Sequence, residues 1–549
     1  MKTDISGWTV RIDAATTSHY RTRGIWRDRT LADDARALAE TNPDHVCCIA
    51  DPELLTIAQA LTDAEALAVS LWELGLRPGQ VISFQLPNWE ECFVVNLACA
   101  MLGCIANPIV PIYRNTELEF ILNDSRSRVL FVPEEYRNYR HADMLGGIRA
   151  RLEHLRHVVV VRGQGGDLAY QDLLRTGCGR SIAWPRVASD SIKMVMYTSG
   201  TTGRAKGVLH SHETLARSLE YMAGSIQPGG ANVYLQSGPV THVGGYLKGL
   251  EMPCYFGTTT VLVTRWNAAE AVQLMLRHGV THTSGGPFVR ELMEAAVAAG
   301  TDLPSLRNFS CGGTAVGAEL MRSAQKAFVN ASVHRIYGST EAPTVTQCFS
   351  GEHRERLSAD TDGKIFDYGV RIVDGDGRDL GNGEEGEILV RGPSLFLGYT
   401  DPDNNADAFD GQGYFRTGDL GVRSDDDAIT ITGRKKDLII RGGENLSARE
   451  IEEALLQHPA IREVAVVAMP HARLGETACA YIITASPMPL ALADITAFLV
   501  EAGLARQKIP ERLVRVEDFQ RTAYGKIRKD LLRSDIAQRL KAEAPSALR

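Results

Sequence analysis

Apolar and polar positions along this 549-residue chain switch between two periods. Helical spacing, with hydrophobic side chains recurring three or four apart, covers residues 54–76, 89–102 and 269–278. Between these patterns lie short β-rich runs such as 81–85, 129–132 and 157–161. That alternation predicts α/β architecture with parallel sheets. The most apolar stretch, 92–106, is too short to span a membrane and contains Asn96 and Gly103. It reads as a buried helix entering a turn at Asn107-Pro108. The pattern changes near Gly433. β-rich runs at 387–391 and 429–432 precede it, and a helix-and-strand module follows, with segments at 448–458, 464–469, 479–484, 492–502 and 513–516. The domain boundary is therefore expected within 434–437, giving a large domain of residues 1–435 and a small one of 436–549. The tail after Asp535, rich in Ala, Lys and Glu, reads as a frayed surface helix.

A chain of 549 residues exceeds what one hydrophobic core usually supports, and 44% hydrophobic with 23% charged residues describes a globular protein. The net charge of −8 argues against electrostatic nucleic-acid binding, so an anionic substrate has to be attracted by a local site. Ten cysteines are scattered without a CxxC pair or a metal-ligand spacing, which fits small buried hydrophobes in a reducing cytosol. The N-terminal MKTDISGWTVRID lacks the apolar core of a signal peptide, no membrane anchor is visible, and a cytoplasmic location is expected.

Residues 197–208 read YTSGTTGRAKGV directly after the apolar run 192–197. The segment packs two hydroxyl pairs (Thr198 with Ser199, Thr201 with Thr202), Gly200, Gly203 and Gly207, and Lys206 into one turn. Glycines allow close backbone approach to an anion, hydroxyls and N–H groups donate to phosphate oxygens, and a lysine supplies a point charge. The loop is suited to wrapping a polyphosphate. It is not a GxxxxGK[ST] P-loop, because Ala205 stands where a glycine is needed.

The segment resembles the phosphate loop of the adenylate-forming superfamily, which holds acyl- and aryl-CoA synthetases, peptide-synthetase adenylation domains and beetle luciferases. Four further blocks agree in order, and the likeness runs from about residue 192 to 529. It implies a large N-terminal domain of α/β subdomains plus a β-subdomain, and a small mobile α+β C-terminal domain.

The resemblance also assigns roles. In YGSTEA, residues 337–342, Tyr337 would pack on adenine, Thr340 would bond the α-phosphate, and Glu341, with Thr201, would help hold Mg2+. Gly338 and Ser339 complete that nucleotide loop. CGGTAV, residues 311–316, would place Gly312, Gly313 and Thr314 beside the nucleotide, with Gly312 and Gly338 also flooring the acyl pocket. Asp419 and Arg434 would take the ribose hydroxyls, Lys436 would be the hinge, and Gly442 and Gly443 would border the route of coenzyme A. Lys526, in RTAYGKIRK, would be the catalytic lysine, bridging carboxylate and α-phosphate as charge accumulates. Gln520 stands where a proline is common.

For the acyl pocket the resemblance points to GPVTHVGGYLKGL, residues 238–250. His242 would sit near the carboxylate, with Val243, Gly245, Tyr246 and Gly249 lining the pocket. Gly245 and Gly249 lie four apart on one helical face, which would leave volume for a bulky or ring-bearing acid. Lys248 reads as solvent-facing or as meeting a polar substituent. The reading is an ATP- and Mg2+-dependent carboxylic acid–CoA ligase acting through an acyl-AMP, on a medium-chain, alicyclic or aromatic acid. A stand-alone enzyme loading a carrier protein and a non-catalytic binding homologue are the alternatives. A homodimer is left open.

Overall fold

The computed structural model describes residues 2–164, 166–198, 205–313, 316–485, 490–522 and 525–543. Two compact units divide the chain: residues 1–369 with 390–415, and residues 370–389 with 416–549.

The first unit carries two large sheets. Strands Leu168–Ala169, His157–Val161, Val129–Pro133, Val81–Phe84, Ile105–Pro108 and Ile192–Thr198 lie side by side in that order, all parallel. Lys206–Ser211 and Gly398–Tyr399 then close the edge antiparallel. In the second sheet the order is Ser332–Arg335, Asn308–Cys311, His282–Ser284, Val233–Gln236, Thr259–Leu262 and Val46–Ala50, again parallel, with Glu53–Thr56 antiparallel at its edge.

One core holds Ile82, Phe84 and Val129 of the first sheet together with Cys48, Tyr234 and Leu262 of the second. The helices Ile57–Glu73 and Glu90–Leu102 contribute to this same core. A helix surrounded by apolar groups needs no polar face, which explains why 92–102 is hydrophobic apart from Asn96, whose amide donates to Glu251 Oε1 at 2.9 Å. Helix Ile57–Glu73 starts where Thr56 accepts from Gln59 N while the Gln59 side chain returns to the Thr56 backbone, a reciprocal cap. That cap ends the expected helical pattern at 57, and Glu53–Thr56 is a strand. The expected turn at Asn107-Pro108 is also a strand, Ile105–Pro108, because each of its residues pairs in register with Val81–Phe84.

In the second unit, strands Glu444–Ser447, Leu438–Arg441, Gly475–Thr484, Ile461–His471 and Arg512–Arg515 form a five-stranded sheet. Apolar clusters on its two sides are built around Ile451, Val466 and Leu499 and around Val467, Tyr481 and Ile536. Both faces are covered, so residues 464–467 are buried without alternation. Helix Lys529–Glu543 is docked rather than frayed: Ile536 is fully buried and Tyr481 donates its hydroxyl to Asp535 Oδ2 at 2.7 Å. Contacts also group 370–389 and 416–435 with this unit, upstream of the expected 435/436 boundary. The physical reason is visible at Ser447, whose hydroxyl donates to Thr432 O at 2.9 Å while capping helix Ala448–Leu455.

Candidate active site

Residues 199–204 and Thr314 lie outside the described residues, so the structure assigns no position to Ser199, Gly200, Thr201, Thr202, Gly203 or Thr314. What frames the phosphate-loop segment is clear. Ile192–Thr198 and Lys206–Ser211 pair antiparallel with Thr198 opposite Lys206 and Tyr197 opposite Gly207, so the two strands flanking the segment are the arms of a β-hairpin. Its neighbours are fixed by Asp124, whose Oδ2 accepts from Tyr197 OH at 2.5 Å and from Thr400 Oγ1 at 2.9 Å. A Cβ at Gly207 would lie 2.6 Å from Thr400 Cγ2, so only glycine fits there.

Glu341 meets this hairpin through Tyr399. The Lys206 ammonium stands 5.1 Å from the centre of the Tyr399 ring, and Tyr399 donates its hydroxyl to Glu341 Oε1 at 2.8 Å. Burial and the Glu341 charge both push the Tyr399 phenol far above its usual range, so it stays a donor. His210, on the hairpin's second strand, donates from Nε2 to Thr340 O at 2.8 Å, its Nδ1 accepting from Thr214 Oγ1 at 3.0 Å. Burial depresses His210 to about 4, so the ring is neutral.

The YGSTEA loop follows strand Ser332–Arg335, and CGG follows Asn308–Cys311. These strands are parallel neighbours, so both loops emerge at carboxyl ends of one sheet, where open α/β sheets bind ligands. Ile336 N donates to Cys311 O at 2.9 Å, holding the loops side by side. A Cβ on Gly312 would come 2.9 Å from Ile336 O, and one on Gly338 would come 2.3 Å from Pro343 O. Gly313 has φ of +79°. Tyr337 is pinned by its N–H to Thr346 Oγ1 at 2.7 Å, and Ser339 Oγ accepts from Ala342 N at 3.1 Å.

His242 caps the helix that starts at Val243, its Nδ1 accepting from Gly244 N at 3.4 Å. Three expectations for this segment are corrected. A Cβ on Gly245 would lie 2.0 Å from Pro239 O and one on Gly249 2.8 Å from Val240 Cγ1, so these glycines are filled by close packing and open no volume for substrate. Tyr246 is fully buried and accepts from Lys193 Nζ at 2.9 Å while donating to Asn96 Oδ1 at 2.5 Å, so its side chain is committed to an interior polar network. Lys248 is not solvent-facing: it is 6% exposed.

In the second unit, Asp419 and Arg434 lie directly opposite on antiparallel strands Phe415–Arg423 and Ile429–Arg434. Arg434 Nε reaches Asp419 Oδ1 at 2.8 Å, so the two expected ribose ligands orient each other. Lys436 sits in a single turn, Lys435–Asp437, tied down by Arg533, which bonds Lys436 O at 3.4 Å and pairs with Asp437. Gly442 and Gly443 have φ of +60° and +92° between Arg441 and Glu444, which pair across a two-residue hairpin turn. That turn demands glycine-like backbones at both places. Lys526 is half-buried, with Thr522 N donating to its carbonyl at 2.7 Å and its own N–H donating to Thr522 Oγ1 at 3.2 Å.

Sequence reasoning missed Asp124, His210, Tyr399 and Thr400. Apart from the local His210–Thr214 bond, the partners that place them are 58 to 276 residues away, and nothing in the local pattern marks them.

Parallel strands ending in two glycine-bearing loops, beside a hairpin that presents a lysine, define an α/β nucleotide-binding enzyme. The model of the AMP-binding enzyme family matches residues 35–400, and that of its C-terminal domain matches 450–526. The chain belongs to this family and, by that membership, is an AMP-forming ligase of the adenylate-forming superfamily. It is 33% identical over 530 residues to a medium-chain fatty-acid–CoA ligase of Escherichia coli, covering 95% of this chain and 93% of the relative. It is 30% identical to a 2,3-dihydroxybenzoate-AMP ligase of Bacillus subtilis, covering 95% and 96%. In fold it matches a crystal structure of an anthranilate CoA ligase in complex with anthranoyl-AMP, with TM-score 0.83, 24% identity, and coverage of 94% and 98%. No helix among the described residues is long and apolar enough to cross a membrane.

Proposed function

We propose that the protein joins a small carboxylic acid to coenzyme A in two steps at the expense of ATP. An oxygen of the carboxylate attacks the α-phosphorus, pyrophosphate leaves, and an acyl-AMP forms. The thiol then attacks the acyl carbon, and AMP leaves with that carboxylate oxygen. The observation that carries this reading is the Lys206–Tyr399–Glu341 arrangement beside the loops of Gly312 and Tyr337: a cation, a fixed donor and a hard carboxylate gathered at the carboxyl ends of parallel strands.

Thr198, Lys206 and the hydroxyls of residues 199–202 hold phosphate oxygens, Tyr337 packs on the base, and Asp419 takes the ribose hydroxyls, with Arg434 orienting it. Lys526 and Thr340 stabilise the charge that accumulates when carboxylate and phosphate meet. His242 orients the acid, and Gly442 and Gly443 border the pantetheine arm. Lys436 supports a reorientation between the steps. Glu341, with Thr201, fits Mg2+. Among the described residues no group of three or more His, Cys, Asp or Glu could form a protein cage. A single carboxylate completed by phosphate oxygens and water is the donor set that Mg2+ favours. When bound, the ion neutralises charge on the phosphates.

The 33% identity to a CoA ligase supports coenzyme A as acceptor. A panel of carboxylic acids assayed for pyrophosphate release, with and without coenzyme A, tests the reading. Acid-dependent release accompanied by thioester supports it. Release without thioester at any coenzyme A concentration assigns the acceptor to a carrier protein, and no acid-dependent release rejects it.

A further inference from the structure

Two lysines are buried in the first unit, and they are provided for differently. Lys193 is ion-paired with Glu251 and donates to Tyr246 OH at 2.9 Å and to Asn96 Oδ1 at 3.2 Å. Lys248 is 6% exposed, yet its ammonium has no hydrogen bond or ion pair among the described residues. Its electrostatic surroundings contain no carboxylate. The titratable groups it interacts with are the Cys311 thiol and the His334 imidazole, and burial lowers the lysine to about 8. An ammonium taken out of water without a counter-charge is costly, so such a group is kept neutral or is matched by something that arrives.

Lys248 is aimed by an unusual piece of backbone. The helix beginning at Val243 widens into a π-helical turn over Leu247–Glu251 before resuming at Met252. Such turns re-aim side chains and recur at functional sites. Thr260 Oγ1 donates to Lys248 O at 3.1 Å, fixing the turn on the second sheet. The Lys248 ammonium stands 5.8 Å from the Tyr234 ring centre, over one face of that sheet.

That face is polar although it is interior. Register and alternation put Tyr234 and Gln236, Ser284, Ser310 and His334 on the same side. Ser310 Oγ and Gln236 Oε1 are buried with no hydrogen-bond partner among the described residues. His334 uses Nδ1 toward Ser332 O at 3.1 Å, and burial holds it near 4, so it is neutral. Ser310 lies two residues below Gly312 on its strand, and His334 two below Ile336. Two strand residues span about 7 Å, roughly the reach of a ring or a short chain whose carboxylate sits at the glycine loops.

We propose that Lys248, with Ser310 and Gln236, recognises an oxygen-bearing substituent on the distal end of the acid, a second carboxylate or a hydroxyl, making this a ligase for oxygen-substituted acids rather than for plain hydrocarbon ones. The proposal rests on the ligase reading above and assigns Lys248 a specificity role.

The test uses matched acids that differ only in the distal substituent: hydrogen, hydroxyl or carboxylate. The full chain is assayed for kcat/KM in acid-dependent pyrophosphate release, wild type beside Lys248→Met and Lys248→Arg. Wild type should prefer a substituted acid about tenfold or more, the size of a charge-assisted hydrogen bond. Lys248→Met should bring the ratio near one, and Lys248→Arg should retain part of it. The preferred arm distinguishes carboxylate from hydroxyl.

ATP-dependent thermal stabilisation reports whether each variant folds. If neither does, wild type alone decides. Neither titratable group that interacts electrostatically with Lys248 titrates between pH 6 and 9, because burial holds Cys311 near 12 and His334 near 4. The preference should therefore fall as pH rises through about 8 and the lysine loses its charge. A wild-type ratio near one, or a preference unchanged in Lys248→Met or across that pH range, overturns the proposal while leaving the ligase intact. Absence of pyrophosphate release with every acid overturns the ligase reading as well.

Discussion

Tyr399 holds Glu341 in place by donating a hydrogen bond to Oε1 at 2.8 Å, across 58 residues of sequence. If Glu341 is the metal ligand, Tyr399→Phe frees the carboxylate to rotate and removes a charge-assisted bond worth about 1.5–3 kcal/mol. The Mg2+ concentration giving half-maximal pyrophosphate release should rise about tenfold. An unchanged metal titration would show that Tyr399 only packs.

Glu341→Gln keeps the size and removes the charge that a hard cation prefers. Mg2+-dependent adenylation should fall much further than binding of supplied acyl-AMP, measured by titration calorimetry. Equal losses would mean that Glu341 shapes the loop and does not hold the ion.

Lys526→Ala should cripple acyl-AMP formation by a hundredfold or more, while thioester formation from supplied acyl-AMP persists. Only the first step brings two anions together. Equal loss of both half-reactions, followed by rapid quench, would contradict the role given to Lys526.

Gly245→Ala separates close packing from pocket lining. Its Cβ would come 2.0 Å from Pro239 O, a backbone atom that cannot step aside. The expected result is a loss of stability of about 2 kcal/mol or more in chemical denaturation, as overpacking predicts. Full stability with a changed preference for acid size would restore Gly245 to the pocket.

Three buried histidines, His210, His282 and His334, are each depressed to about 4 by burial. Histidines freed by unfolding titrate near 6.5, so below that pH the unfolded chain binds more protons than the folded one. The stability conferred by the neutral rings is present above about 6.5 and is lost as pH falls toward 4. Each contributes a slope of up to about 1.4 kcal/mol per pH unit in that window. A denaturation midpoint that stays flat from pH 7 to 5 would contradict this.

The α/β class and most elements were legible because buried parallel strands and helices repeat with distinct periods, and the loops at 197–208, 311–316 and 337–342 carry their own chemistry in adjacent residues. Reading failed where tertiary partners decide. Gly245 and Gly249 imply volume on a bare helix, yet the chain folds residues 239 and 240 into that space. Lys248 looks like a surface lysine until a π-helical turn carries it against the second sheet. The tail after Asp535 lacks a visible apolar stripe, and the residues that dock it, buried Ile536 and half-buried Leu540, are recognisable only beside Val467 and Tyr481.

The central claim is that the carboxylate oxygen attacks the α-phosphorus of ATP. Acid labelled with oxygen-18 in its carboxylate, turned over with ATP, Mg2+ and coenzyme A, tests it directly by mass spectrometry of the products. One labelled oxygen should appear in AMP and none in pyrophosphate. Label in inorganic phosphate, with ADP as the nucleotide product, would contradict the account by placing the attack at the γ-phosphorus.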